Sequence, residues 1–152
     1  MSSSAPTPPT DEQWLGLNAG VIPEFRANGG RCGGMWEGNP MVLLTTTGAR
    51  SGRERVSPVT YTRTRSDDLV LIASRAGDRR HPDWYHNLVA NPDVVIELGD
   101  GTDIERFAAR ARVAEEPERT ALLDDRIARM PRFGEYVTMT ERTIPVVVVE
   151  RA

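Results

Sequence analysis

The sequence contains no lysine, and all 19 of its basic residues are arginine. This excludes a mechanism that forms a Schiff base on a lysine or uses a lysine as nucleophile. The single cysteine, Cys32, cannot form a disulfide within the chain, which is typical of a reducing compartment. The two histidines, His81 and His86, belong to no cluster with metal-ligand spacing, so we expect no metal site.

Long apolar segments are also missing. No run approaches the ~20 residues of a membrane span, and residues 1–10 are rich in Ser, Pro and Thr without the apolar core of a secretory signal. We expect residues 1–10 to be a disordered lead and residues 11–152 to form a single domain. The net charge of -3 argues against nucleic acid as a partner.

Residues 41–61 predict a strand, a tight turn and a returning strand. The first part, residues 41–47, is apolar and rich in β-branched side chains, which favours a strand over a helix. Gly48 and Gly52 then bracket the turn, where a reversing backbone needs positive φ.

The tip of the hairpin is basic, because Arg50, Arg53 and Arg55 gather there together with the hydroxyl of Ser51. Guanidinium forks and free backbone amides are groups that bind phosphate oxygens. A tip that is simply solvated by water explains the same pattern, and the residues alone leave both interpretations open. Pro58 favours a ligand site, since a proline inside a strand indicates an edge or a bulge, where ligands approach.

The remaining periodicities predict a mainly β (α+β) fold with about six mostly antiparallel strands, forming a small barrel with flanking helices. An N-terminal helix should run from Thr10 or Asp11 to about residue 28, with Pro23 kinking or dividing it. The other predicted helices cover residues 82–90 and 117–130, with a loop or short helix at 131–141. The other predicted strands cover residues 69–74, 94–98, 103–113 and 143–150.

Four segments in this order resemble the deazaflavin (coenzyme F420)-dependent nitroreductase family, the actinobacterial split β-barrel reductases. They are residues 43–61, with Thr-Thr-Thr-Gly-Ala-Arg-Ser-Gly, then Ser74, the helix at 81–92 and Arg-Thr-Ile-Pro-Val at 142–146. The similarity covers roughly residues 20–150, and its specificity comes from the ordered set. It implies a split β-barrel oxidoreductase that transfers a hydride from reduced F420 to a quinone, a conjugated enone or a nitro compound.

The resemblance also implies which residues contact the cofactor. The hairpin tip would hold the phosphate of the lactyl-oligoglutamate tail, the returning strand and the end of the third strand would line the ribityl chain and the ring, and the helix start would contribute amides and a Trp side chain. In chain order these positions are Ala49, Arg50, Ser51, Gly52, Arg55, Val56, Ser57, Pro58, Val59, Thr60, Ile72, Ala73, Ser74, Arg75, Asp83, Trp84, Tyr85, His86, Asn87 and Phe133.

Tyr136 and Ser74 are the candidate proton donors near the ring, and orientation of the substrate by hydrogen bonds is the alternative role for both. Family members surround the substrate with several tyrosines, whereas the matching positions here are Thr60, Met130 and Phe133. Only Tyr136 keeps its phenol hydroxyl, which leaves a largely apolar pocket with one phenol. This departure favours a quinone or an enone over a nitroimidazole as the acceptor.

Two other functions fit the same sequence. One is an FMN-binding split-barrel oxidoreductase or a heme-handling relative, and the other is a non-catalytic protein that binds the deazaflavin. For the leading hypothesis we expect a small apolar electron acceptor as partner, a monomer or a homodimer, and a cytoplasmic location. Weak contact of the N-terminal helix with a membrane surface would make the protein peripheral at the inner face of the membrane.

Overall fold

Seven strands form one antiparallel sheet in the computed structural model, which describes residues 11–33, 40–75, 80–138 and 140–152. In chain order they are β1 (Met41–Thr47), β2 (Glu54–Thr60), β3 (Thr62–Arg63), β4 (Leu69–Ile72), β5 (Asp93–Gly99), β6 (Ile104–Val113) and β7 (Val146–Arg151). They lie in the order β2-β1-β5-β6-β7-β4-β3. This split barrel confirms the predicted fold class, with one strand more than the six expected. The predicted lead, residues 1–10, lies outside the described residues.

Four helices flank the sheet: α1 (Asp11–Ala27), α2 (Asp83–Ala90), α3 (Glu118–Arg129) and α4 (Arg132–Thr138). α1 continues through Pro23, so the predicted division of this helix is wrong. The side chains of Val21 and Phe25, on either side of the proline, are buried against the sheet, and this packing offsets the backbone hydrogen bond that proline removes. No helix in the described ranges is long and apolar enough to cross a membrane.

β4 ends two residues earlier and β7 begins three residues later than predicted, and main-chain chemistry explains both differences. β4 stops at Ile72, because the carbonyls of Ala73 and Ser74 accept hydrogen bonds from the side chain of Arg142 and not from a neighbouring strand. β7 begins at Val146, directly after Pro145, which has no N–H to donate to the ladder. The end of β4 and the start of β7 therefore could not be predicted from the periodicity of the side chains.

The two faces of the sheet are covered differently. Val42 and Leu44 of β1 belong to the barrel interior, which α2 closes with Trp84 and Leu88; this side is called the inner face. The alternate residues of each strand point to the outer face. There α1 packs on β1 with Val21 and Phe25, and α3 and α4 pack on β4 and β7. The residues of that second outer cluster are Val70, Ile72, Ala114, Leu123, Phe133, Ile144, Val146 and Val148.

Candidate functional site

The hairpin tip, residues 48–53, is closed by its own hydrogen bonds. The N–H of Gly48 donates to the carbonyl of Arg53 at 2.7 Å, and the N–H of Gly52 donates to the carbonyl of Gly48 at 3.0 Å. Gly52 has a φ of 70°, as its position in the turn predicts. The Ser51 hydroxyl accepts from the N–H of Arg53 at 3.1 Å. The tip is therefore a defined turn, and several of the amides expected to be free are already used within it.

Asn87 of α2 fastens this tip to the helix. Its Oδ1 accepts from the N–H of Ala49 at 3.0 Å, and its Nδ2 donates to the hydroxyl of Thr46 at 3.1 Å. The Asn87 side chain is buried, so both bonds are made away from water. The sequence placed Asn87 among the cofactor contacts, whereas the structure uses its amide to hold the hairpin in position.

The guanidinium groups of Arg50, Arg53 and Arg55 remain available at this tip. All three residues are exposed, and within the described ranges these side chains make no hydrogen bond or ion pair. Three unpaired cations beside one turn form an anion-binding surface, because each guanidinium can give two parallel N–H bonds to a phosphate or carboxylate. The anion-binding capacity of the tip therefore lies in its side chains more than in its amides.

Strand register divides the predicted β2 contacts between the two faces. Arg55 pairs with Thr46, Ser57 with Leu44 and Val59 with Val42, and these three side chains lie on the inner face. The alternate residues point outward, and we call them the outer strip: Val56, Pro58 and Thr60. The outer strip is half-buried and extends from α1, which contacts Val56, to α3, which contacts Thr60.

The end of β4 is held in place by Arg142. Its Nη2 donates to the carbonyls of Ala73 at 3.1 Å and Ser74 at 2.8 Å, and its Nη1 lies 2.8 Å from Nδ1 of His81. Ser74 is buried there, and Arg75 follows with a φ of 47°. Because an arginine only donates, the Nδ1 of His81 must accept, which requires the neutral tautomer with its proton on Nε2.

Three rings meet at the start of α2. The ring of His81 lies 4.8 Å from that of Tyr85 and 5.6 Å from that of His86, measured between centroids. Burial lowers the pKa of His81, and the charges of Arg142 and His86 lower it further. Trp84 points away from this group and into the barrel core, with 8% of its surface exposed. The side chain of Trp84 is therefore core, and its contact with a cofactor stays a prediction.

α4 brings Phe133 and Tyr136 to the outer face. Their rings meet edge to face at 5.3 Å, and both pack on the outer cluster under α3 and α4. Phe133 is almost fully buried, whereas Tyr136 and Met130 are half-buried. The structure thus places the Tyr136 phenol beside apolar side chains of the outer cluster, and whether this group lines the acceptor pocket stays a prediction.

Sequence reasoning missed Arg126, which is fully buried in α3. Its guanidinium lies 4.8 Å from the ring centroid of Phe133 and donates to Thr60 and Thr62. A signal was present: Arg126 follows Leu123 by three residues and precedes Met130 by four, so it stands on the apolar side of the helix. An arginine on the apolar side of a helix is expected to be buried, and its guanidinium then needs hydrogen-bond acceptors within the fold.

Comparison with known proteins gives one consistent result. The sequence model of a family described as F420H(2)-dependent quinone reductase matches residues 21–151. An F420H(2)-dependent quinone reductase of Mycobacterium tuberculosis is 38% identical over 133 residues, which cover 84% of this chain and 85% of that protein.

Solved structures give the same picture. A structure titled as an F420-H2 dependent reductase (FDR-A) is 38% identical, with a TM-score of 0.64, covering 73% of this chain and 94% of that one. A second, titled as a domain-swapped dimer, is 39% identical with a TM-score of 0.62, covering 73% of this chain and 80% of that one. The heme storage protein HutZ from Vibrio cholerae shares the fold alone, at 17% identity and a TM-score of 0.54, covering 86% of this chain and 87% of that one.

Proposed function

From the premise that this chain belongs to the F420H(2)-dependent quinone reductase family, we propose that it reduces an apolar quinone on the outer face of β2, with the cofactor's anionic tail at the hairpin tip. Its cofactor is coenzyme F420, and the protein is an oxidoreductase. The observation that carries the placement is a set of three exposed guanidinium groups, unpaired among the described residues, at the end of β2 where the outer strip begins.

The tip fits the tail of F420, which carries a phosphate and several glutamate carboxylates. Arg50 and Arg55 supply the charge, and Arg53 adds a third cation. The N–H of Ala49 already donates to Asn87, so the contribution of this residue is to shape the turn. Ser51 and Gly52 have the same supporting role, because the Ser51 hydroxyl and the Gly52 amide are bonded within the tip.

The outer strip fits a flat ring that follows such a tail. Arg55 and Thr60 are five residues apart in β2, a separation of about 17 Å at the rise of a strand. Arg55 points to the inner face but is exposed at the end of β2, so a ligand whose flat head lies on the outer strip would reach it by extending its anionic tail around that end. Val56, Pro58 and Thr60 offer side chains to the ring, as does Ile72 of β4 on the same face. The predicted contributions of Ser57 and Val59 are limited to their backbone, because their side chains point inward.

The acceptor would lie between the ring and α4. When bound, reduced F420 supplies a hydride, and a quinone that takes up the hydride and one proton becomes a hydroquinone. Met130 and Phe133 exclude water and present apolar surface to the quinone. Tyr136 donates the proton from its phenol, and Ser74 is the second candidate donor at the end of β4. The presence of a single phenol favours quinones over nitro compounds.

Fluorescence titration of the purified protein with F420, with FMN titrated in parallel, tests the cofactor assignment. We expect binding of F420 at micromolar concentration or tighter and no binding of FMN. Quinone reduction by the F420H2-loaded protein should then be measured against conjugated enones and nitro compounds. Binding of FMN alone would contradict the placement of the tail at Arg50 and Arg55.

We also propose that the protein is a homodimer, supported by the relative titled as a domain-swapped dimer. Light scattering on a size-exclusion column should give twice the chain mass of 16.8 kDa, and elution as a monomer would contradict it.

We place the protein in the cytoplasm, which suits its single cysteine. Contact of α1 with a membrane surface is a weaker proposal, because Arg26, the single basic residue of α1, is bonded to Glu97. Flotation with anionic vesicles tests it.

A further inference from the structure

Arg126 is a cation buried without a counter-ion. Its side chain is fully buried, and within the described ranges no carboxylate lies at ion-pair distance from it. Asp125, which acts on it electrostatically, is itself bonded to Arg129. Burial lowers the pKa of Arg126 to about 10, so the group still carries its charge at neutral pH. Burying an unpaired charge is costly, and an apolar side chain could fill the same space.

Among the residues that the structure describes, the hydrogen-bond partners of this cation are neutral oxygens. Nη2 donates to the carbonyl of Val70 at 2.6 Å and more weakly to that of Thr60 at 3.4 Å. Nη1 donates to the Thr60 hydroxyl at 3.2 Å, and Nε donates to the Thr62 hydroxyl at 3.3 Å. The guanidinium thus joins α3 to β2, β3 and β4. These contacts give the side chain a fixed position in the fold.

The hydrogen bond from Arg126 also determines whether the Thr60 hydroxyl acts as a donor or an acceptor toward other groups. Because its oxygen accepts from Arg126, the Thr60 O–H is left to donate elsewhere, and a hydrogen bond from a cation strengthens the next one in the series. Thr60 is half-buried on the outer strip, whereas Thr62 is buried. The same guanidinium lies over the ring of Phe133. One cation therefore orients two of the residues expected around the acceptor.

We propose that Arg126 is a positioning residue that holds the Thr60 hydroxyl as a hydrogen-bond donor to the quinone oxygen that becomes negative during reduction. This inference rests on the proposed function, because it takes the acceptor to lie beside Thr60 and Phe133. The hydride brings two electrons and one hydrogen to the quinone and leaves a hydroquinone monoanion, which a proton then neutralises. Thr60 donates a hydrogen bond to that oxygen and keeps its own proton.

Four variants separate this role from a structural one. Thr60→Val removes the hydroxyl, Thr60→Ser keeps it, and Arg126→Met removes the charge. Thr62→Val is the matched control, since it also deletes a hydroxyl bonded to Arg126 but lies away from the outer strip. We expect kcat for quinone reduction to fall about tenfold to a hundredfold in Thr60→Val and Arg126→Met, because a lost oxyanion donor costs up to about 10²–10³ in kcat. Thr60→Ser should lose less kcat than Thr60→Val because it keeps a hydroxyl, and Thr62→Val should retain kcat.

The double variant Thr60→Val/Arg126→Met gives the sharper test. If Arg126 acts through Thr60, the double variant turns over no more slowly than Thr60→Val alone. If the kcat of the double variant instead falls by the product of the two single-variant losses, the proposal is overturned. If Arg126→Met fails to fold, Arg126→Lys replaces it, since lysine keeps a charge near Thr60 but loses the fork, and it should turn over faster than Thr60→Val.

A binding measurement without turnover completes the test. The probe is 2-hydroxy-1,4-naphthoquinone, an anion at neutral pH, compared with neutral 1,4-naphthoquinone, both titrated calorimetrically into the F420-loaded protein. Thr60→Val should weaken binding of the anion about tenfold and leave the neutral compound unchanged, since only the anion uses a charge-assisted bond. Equal loss for both compounds, or no loss, would overturn the inference. Failure of the wild type to bind F420 or to reduce quinones would instead contradict the proposed function.

Discussion

At the scale of single residues, two arginines use their guanidinium groups to bind main-chain carbonyl groups and not to face solvent. Arg126 and Arg142 each donate to carbonyl groups near the ends of strands, at Val70 and at Ala73 and Ser74. A lysine could not replace either of them, because a planar guanidinium reaches several acceptors at once and an ammonium group does not keep that geometry. The absence of lysine from the sequence is consistent with such uses of arginine.

Tyr136→Phe tests the proton donor. Removing the phenol should lower kcat for quinone reduction by about tenfold or more, because a positioned general acid contributes typically about 10²–10⁴. The Kd of F420 should hardly change, since the ring of Tyr136 packs on Phe133 and keeps that contact. Tyr61→Phe is the control, and its kcat should match that of the wild type. Unchanged turnover in Tyr136→Phe would remove the residue from the mechanism and leave Ser74 as the candidate.

His81 predicts a dependence of stability on pH. Its pKa is lowered in the folded state by burial, by Arg142 and by His86, so the unfolded chain binds a proton more readily as the pH falls. This contribution to stability is complete above the ordinary value of about 6.5 and is lost as the pH decreases toward the folded-state pKa. Protonation of Nδ1 would also remove the acceptor that faces Nη1 of Arg142.

Melting temperatures at about pH 7.5 and about pH 5 measure this effect. The decrease in melting temperature on acidification should be smaller in His81→Gln, whose amide oxygen can still accept from Arg142 but does not titrate. His86→Gln is the comparison variant and should keep most of the decrease, because His86 is the smallest of the three causes that lower the pKa of His81. An equal decrease in His81→Gln and the wild type would show that other groups cause the acid sensitivity.

At the scale of secondary-structure elements, the contact between α2 and the β1–β2 hairpin decides the geometry of the site. Asn87 links the tip at Ala49 to Thr46, and Asn91 donates to the carbonyl of Thr47 at 3.5 Å. The three arginines of the tip are exposed and have no such constraint of their own. The position of the anion-binding surface therefore depends on a helix that is more than thirty residues away in the chain.

Asn87→Ala should destabilise the protein and weaken the binding of F420 together. It leaves the Ala49 N–H and the Thr46 hydroxyl without their partner, at a cost of about 1–3 kcal/mol. For a chain of this size each kcal/mol lowers the melting temperature by about 2–4 °C. Asn91→Ala is the control, because its bond is longer, and it should have a smaller effect on both quantities. Normal F420 affinity in a destabilised Asn87→Ala variant would show that α2 does not position the tip.

The sequence predicted most of the strands, because β1 is short, apolar and rich in β-branched residues and β6 alternates between apolar and charged side chains. It also predicted the turn at Gly52 and the basic tip. It could not show that Asn87 takes the Ala49 amide, nor that Arg126 reaches Thr60, because both contacts join residues far apart in the chain. The division of β2 into inward and outward contacts follows from alternation, but which face meets the ligand requires the positions of α1, α3 and α4.

At the scale of the whole molecule, a net charge of -3 would repel an anionic cofactor. Binding of the F420 tail must therefore come from the local field of Arg50, Arg53 and Arg55. Such exposed charges are screened by salt within about 10 Å at 0.1 M ionic strength. The Kd of F420 should consequently increase steeply as salt is raised.

Arg55→Ala should weaken F420 binding about tenfold at low salt and make its salt dependence shallower, because one charge-assisted contact is lost. Arg65→Ala is the control, since Arg65 is also exposed but lies in the turn before β4. Fluorescence titrations over a range of salt concentrations give the slope of log Kd for F420 against log salt concentration, for the variant and for the wild type. Identical slopes for Arg55→Ala and the wild type would show that the tail lies elsewhere.

Pro58 has a consequence for assembly. β2 is at one end of the strand order, so its outer backbone edge could accept a strand from a second molecule. Pro58 pairs in register with Leu43 and has no N–H, so the hydrogen that a partner strand would need is missing at the middle of this edge. The edge is thereby protected against strand-to-strand aggregation, and a dimer is expected to form through other elements and leave β2 open to the ligand.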